Sequence, residues 1–102
     1  MSRITNNITI VCYDIVSNKL RSKIDKCMKD FGKRIQFSIF LCRLDTDDVK
    51  RCKASLKEVL EKFDCEKEPE DSIIIFERLS PDNVNCLIGA KIERNALKFF
   101  VL

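Results

Sequence analysis

The chain has no histidine and no tryptophan, and only two glycines and two prolines among its 102 residues. Without histidine there can be no Ser-His-Asp triad, no Cys-His pair and no imidazole-ligated metal. Acid–base or metal chemistry is left to carboxylates, Lys, Tyr or Cys. So little Gly and Pro excludes low-complexity linkers and collagen-like repeats. No apolar run approaches the roughly 18–20 residues of a membrane span. Residues 1–7 are polar, unlike a secretory signal peptide, so the expected location is the cytoplasm, with no membrane partner. The six cysteines contain no C-x-x-C pair. That excludes a zinc ribbon and a redox motif, and most are expected to be reduced thiols acting as small buried hydrophobes.

What is present describes one soluble globular domain. Apolar residues make up 45% and charged residues 34%, enough for one hydrophobic core at this length. The net charge of +3 hides an asymmetry. Residues 17–43 carry eight cations against two anions, a net of +6, whereas residues 61–82 carry three against eight, a net of −5. A basic segment of this kind suits a polyanion, most plausibly nucleic acid, or else forms a solvated lysine-rich helix face.

Periodicity orders the elements. Residues 8–15 (ITIVCYDI) form a continuous apolar, β-branched run that reads as a central strand ending in a carboxylate. Leu20, Ile24, Cys27, Met28 and Phe31 make one helical stripe, capped by Ser17 or Asn18 and stopped by Gly32. Across residues 34–44 the alternation changes phase, which predicts two short strands joined near Ser38. Val49, Cys52, Leu56, Val59, Leu60 and Phe63 form a second helical stripe behind a cap at Asp45 or Thr46. An acidic loop over 65–71 leads to a strand over 72–79, a turn over 80–83, and a fifth, C-terminal strand over 97–102. The expected fold is α+β, a ferredoxin-like βαββαβ plan with an additional C-terminal strand and both helices on one face of an antiparallel sheet. The single domain spans 1–102, with its core at 8–79 and a dimerisation tail at 80–102. An uncovered sheet face and an apolar terminal strand predict a homodimer.

Asp14, at the end of the first strand, is the foremost candidate for chemistry. Strand ends expose side chains while holding them on a rigid element. A carboxylate suits a hard cation such as Mg²⁺, although the same residue also fits a turn aspartate capping its own loop. One carboxylate cannot hold an octahedral cation, so a twofold axis bringing two copies of Asp14 together would be required. Arg21, Lys23 and Arg34 could grip phosphates, or instead pair with Asp25, Asp30 and Asp48. Phe37 and Phe40 invite comparison with base-stacking aromatics, but the Gly-and-aromatic pattern of RNA-binding sheets is missing, and Phe on a strand is usually core.

The ordered motifs YDI at 13–15, LRxKI at 20–24, GKRIQFSIF at 32–40 and DSIIIF at 71–76 resemble the small CRISPR-associated adaptation protein "two" family, known as CRISPR-associated endoribonucleases. The resemblance covers about residues 8–79. It implies a ferredoxin-like homodimer that partners the CRISPR integrase, bridges its subunits and binds duplex DNA during spacer acquisition. It further implies endonuclease activity on RNA, including single-stranded RNA, or on DNA, with Mg²⁺ or another divalent cation. Asp14 would be the catalytic metal ligand, paired across the dimer. Arg21, Lys23, Arg34 and Phe40 would contact nucleic acid. At Lys23 the family often has Arg, and a lysine there cannot make a bidentate phosphate contact. The alternatives are a non-catalytic nucleic-acid scaffold, or a toxin-type ribonuclease outside CRISPR defence.

Overall fold

A computed structural model describes residues 7–85. The expected terminal strand, most of the dimerisation tail and Cys86 lie outside the described residues. The elements run β1 (Ile8–Asp14), α1 (Asn18–Met28), β2 (Gly32–Gln36), β3 (Ile39–Arg43), α2 (Thr46–Lys62) and β4 (Ser72–Leu79). The four strands form one antiparallel sheet in the order β2-β3-β1-β4. This is the ferredoxin-like arrangement, with β1 central. No described helix is long and apolar enough to cross a membrane.

Both helices pack on the same sheet face. From the sheet come Val11, Tyr13, Phe40 and Cys42; from the helices come Leu20, Ile24, Met28, Val49, Cys52 and Leu56, all buried in one cluster. Full burial of each large aliphatic side chain is worth about 1.5–3 kcal/mol, so these stripes hold the layers together. The caps are local. The Ser17 hydroxyl accepts the Leu20 amide at 3.1 Å, and the Asp45 carboxylate accepts the Asp48 amide at 2.8 Å. Five described cysteines are free thiols, two of them, Cys42 and Cys52, buried in the core.

Gly32 does not stop α1, which ends at Met28 with Lys29 as its cap. Instead Gly32 opens β2, where a Cβ would lie 2.4 Å from the Leu41 carbonyl oxygen and 2.5 Å from Cys42 Sγ. Only a residue without a side chain lets β2 approach β3 that closely. Phe31, beyond the helix end, still packs against the core.

The other sheet face carries no helix. At one end Ile8 and Leu41 are buried among Ile10, Ile35, Leu79 and Val84. Leu79 reaches this face because β4 bulges. Ile8 pairs with Leu79 and Ile10 with Phe76, so Glu77 and Arg78 together oppose Thr9. Arg78 takes up the irregularity in the left-handed region, at φ 57°. Along β4 toward the opposite end the same face opens, with Phe76 and then Ile74 about half exposed.

Candidate functional site

Three segments meet at that open end: the end of β1, the turn between β2 and β3, and the start of β4. The Tyr13 amide donates to the Ser38 carbonyl at 3.0 Å, docking the turn against β1. Asp14 pairs in register with Ser72 of β4. Around this junction lies a depression of about 350 Å³ whose lining includes Asp14, Gln36, Phe37, Ser38, Ser72 and Ile74. Asp14 is exposed, and among the described residues its carboxylate has no hydrogen-bond or ion-pair partner. The loop after it is fixed by acids from the segment that leads into β4. Asp71 accepts the Val16 amide at 2.9 Å and the Glu68 amide at 2.8 Å, and the Ser17 hydroxyl donates to Glu66 at 2.7 Å. Asp14 is thus an accessible carboxylate on a rigid strand end, flanked by a braced loop.

The expected phosphate-gripping cations each have partners within the fold. Arg34, on the helix-facing side of β2, pairs with Asp25 of α1 at 2.8 Å. The same carboxylate accepts the Tyr13 hydroxyl. Arg34 also lies over the Phe40 ring at 5.5 Å, and Phe40 stacks on Tyr13 with centroids 6.3 Å apart. Tyr13, Asp25, Arg34 and Phe40 form one cluster beneath the strand that ends in Asp14. Burial first, then the bond to Asp25, holds the Tyr13 hydroxyl far above the usual phenol range. It therefore stays protonated as a donor at neutral pH. By sequence Asp25 stands out only as a pairing partner, because nothing in its local context reveals that two separate strands converge on it.

Phe40 is 1% exposed. It cannot stack on a base from the core; its described ring contacts are with Tyr13 and Arg34. Phe37, by contrast, is 71% exposed at the turn. Arg21 and Lys23 splay apart, as their spacing requires. The Arg21 guanidinium bonds the Ile15 carbonyl at 2.7 Å and the Asn18 side chain, and lies 5.7 Å from the centre of the Phe37 ring. Lys23 sits over Phe63, at the end of α2, at 5.3 Å. The structure therefore brings Arg21 close to the Asp14 end and sends Lys23 away from it. The exposed cations of α1 and its C-terminal cap are Lys19, Lys26 and Lys29, on one flank of the helix.

Burial raises Cys12, Cys27, Cys42 and Cys52, which keeps them protonated at neutral pH. Among the described residues no group of three or more Cys, Asp or Glu side chains is placed to enclose a metal ion.

Residues 7–83 match the family described as CRISPR associated protein Cas2. A Geobacter sulfurreducens protein, CRISPR-associated endoribonuclease Cas2, is 30% identical over 78 residues, covering 76% of each chain. A Rhodospirillum rubrum protein, CRISPR-associated endoribonuclease Cas2 4, is 50% identical over 34 residues, which is 33% of this chain and 27% of that protein. The chain thus aligns with only about a quarter of the Rhodospirillum protein. The crystal structure of Streptococcus pyogenes Cas2 superposes with a TM-score of 0.55 at 22% identity, over 86% of this chain and 93% of that one. At that identity the likeness speaks for the fold.

Proposed function

The chain belongs to the CRISPR associated protein Cas2 family, and from that premise we propose that it is a CRISPR-associated nuclease. In this reading a homodimer cleaves phosphodiester bonds in RNA or DNA, with Asp14 of each copy holding Mg²⁺ or another divalent cation. The observation that carries the reading is Asp14 itself: an exposed carboxylate, without a described partner, at the end of the central strand and on the lining of a depression. Unspent carboxylates at strand ends are where oxygen-ligand chemistry is placed. The relatives' description as endoribonucleases supports RNA cleavage.

The donors suit a hard cation in kind but not in number. Asp14 offers carboxylate oxygens, and the residues lining the depression include Ser38 and Ser72. One chain falls short of the about six oxygens that Mg²⁺ takes, so a second Asp14, water and substrate oxygens are needed. The half-exposed Ile74 and Phe76 beside the site give a second copy an apolar face to cover. When bound, the cation would supply Lewis-acid stabilisation of the negative charge on the phosphoryl oxygens and the leaving oxygen. The chain's own contribution is positioning. Arg21 fastens the loop after Asp14 through the Ile15 carbonyl, and the Tyr13–Asp25–Arg34 cluster braces the strand before it.

The wider role in this proposal is to bridge CRISPR integrase subunits and to hold duplex DNA during spacer acquisition. Lys19, Lys26 and Lys29 supply an exposed cationic flank for the duplex. Because Arg34 is already paired internally, a second reading also has support, namely a scaffold that binds phosphates and cleaves nothing.

Cleavage assays on Asp14→Asn separate the two. The nuclease reading expects Mg²⁺-dependent cleavage that falls at least about a hundred-fold in the variant, with circular dichroism and sedimentation unchanged. Equal cleavage by parent and variant, or a parent that sediments as one chain at micromolar concentration, would refute it.

A further inference from the structure

We propose that Cys12 adds a sulfur ligand to the Asp14 site, so that Zn²⁺ or another thiophilic divalent cation binds there and shuts out the Mg²⁺ that drives cleavage. The inference rests on the nuclease reading of Asp14 and deepens it by naming a regulator of that site. Cys12 and Asp14 stand two residues apart on β1. Successive strand residues alternate between the two faces. Tyr13, between them, packs in the core under the helices, so both flanking side chains leave the sheet on the helix-free side. They line the same depression of about 350 Å³. Cys42 and Cys52 are buried in the core, whereas Cys12 is only partly buried.

Spacing and chemistry both allow the pair to hold one ion. Side chains at positions i and i+2 of a strand start roughly 7 Å apart. A Zn–S bond of about 2.3 Å and a Zn–O bond of about 2.0–2.2 Å, added to the reach of the two side chains, close that gap. Mg²⁺ takes oxygen ligands and keeps its water, and gains nothing from a thiol. Zn²⁺ accepts sulfur and carboxylate oxygen together. The row that holds Cys12 is apolar. Ile39 of β3 pairs with it on one side and Ile74 of β4 on the other, and both line the depression. Such walls limit the access of water and strengthen the bond between a cation and a thiolate. On binding, the S–H proton of Cys12 leaves to solvent and a sulfur electron pair forms the metal bond; nothing is oxidised or reduced.

One chain supplies two of the four ligands of a tetrahedral site, and among the described residues no third Cys, Asp or Glu is placed to join them. The second copy that the nuclease reading requires would bring the same pair and complete a Cys₂Asp₂ set. The competing reading makes Cys12 a small hydrophobe that fills the row between two isoleucines. It accounts for the sulfur but not for its place beside a carboxylate with no described partner.

The test uses the full chain, kept reduced with a phosphine, and Co²⁺ as the spectroscopic stand-in for Zn²⁺. A thiolate bound to Co²⁺ gives an ultraviolet charge-transfer band that carboxylates and water do not give. The parent should develop this band. Cys12→Ser and Cys12→Ala should both lose it while the far-ultraviolet circular dichroism stays native, and Cys65→Ser and Cys86→Ser should keep it. Asp14→Asn should weaken Co²⁺ binding at least about ten-fold, since loss of even an outer partner of a metal ligand costs about 10- to 100-fold. In Mg²⁺-driven cleavage, the Zn²⁺ concentration that halves each protein's own rate should rise at least about ten-fold in Cys12→Ser. No band in the parent, a band that survives the Cys12 variants, a band indifferent to Asp14→Asn, or equal inhibition of parent and Cys12→Ser would each overturn the proposal. A parent that cleaves nothing in Mg²⁺ would defeat the nuclease reading, and the band would still decide whether Cys12 and Asp14 share an ion.

Discussion

Raising the pH should unfold this protein through two buried thiols and its one tyrosine. Cys42 and Cys52 are 0% and 2% exposed. Burial pushes the Cys42 thiol up to about 12, with Cys52 beside it adding to the rise. Burial likewise pushes Cys52 up to about 11, where Cys27 adds and Lys53 opposes. Tyr13 is raised well above its ordinary 10.0 by burial and by Asp25. All three acids hold their protons more tightly folded than unfolded. Their stabilisation is complete below the ordinary value of each, 9.0 for the thiols and 10.0 for the phenol, and drains away as the pH climbs past it. By about pH 11 the three together should have lost about 6 kcal/mol. That is comparable to the whole stability of a domain of this size, roughly 5–15 kcal/mol. Urea unfolding in reducing buffer should therefore show a steady midpoint up to about pH 8.5 and a collapse by about pH 11. With one tyrosine and no tryptophan, the tyrosinate absorption band reports Tyr13 alone. It should stay silent while the far-ultraviolet circular dichroism is native and appear only with unfolding. A tyrosinate band rising near about pH 10 in a folded protein would refute the reasoning. Asp25→Ala should bring the ionisation part of the way down, because burial is the larger cause and remains.

Three further outcomes follow from the same geometry. Gly32→Ala places a methyl 2.4 Å from the Leu41 carbonyl oxygen; β2 must pull away from β3, at about 2–3 kcal/mol read from urea unfolding, and a loss under about half a kcal/mol would mean the strand yields freely. Arg78→Gly relieves the left-handed backbone at φ 57°; after the entropy of glycine is counted it should stabilise by about 0.5 kcal/mol, raising Tm by about 2–4 °C, and a lowered Tm would deny the bulge its strain. Replacing Lys19, Lys26 and Lys29 together by Gln should flatten the logarithmic salt slope of duplex binding by about 0.9 for every phosphate these lysines neutralise, whereas an unchanged slope would remove α1 from the phosphate surface.

Much of the architecture was legible from periodicity because burial on one face imposes it. The stripe from Val49 to Phe63 and the cap at Asp45 appear as the pattern demands. The phase change near Ser38 marks a real turn, since two strands joined by two residues must reset which side chains face inward. Other features had no local signal. Arg78 absorbs a bulge in a segment that reads simply as one strand, and the bulge moves Leu79 to the helix-free face. Gly32 looks like a helix stop, because its close neighbours, Leu41 and Cys42, come from a strand not yet formed along the chain. Of two similar phenylalanines in one motif, only the assembled sheet decides that Phe40 is core and Phe37 is surface.

The pairing of Arg34 changes what a loss of activity at that position would mean. A phosphate-gripping arginine must present its guanidinium to the ligand. This one gives it to Asp25, which also holds the hydroxyl of Tyr13, the residue immediately before Asp14. Removing Arg34 leaves the half-buried Asp25 charge short of its partner and disturbs the bracing of the strand that presents Asp14. Removing Arg21 acts from the other side, through the Ile15 carbonyl immediately after Asp14. Both arginines thus reach the site through the backbone that flanks one carboxylate. Their loss would impair nuclease activity even if neither touched a phosphate, and only binding measured separately from cleavage distinguishes a cation that holds the ligand from one that holds Asp14 in place.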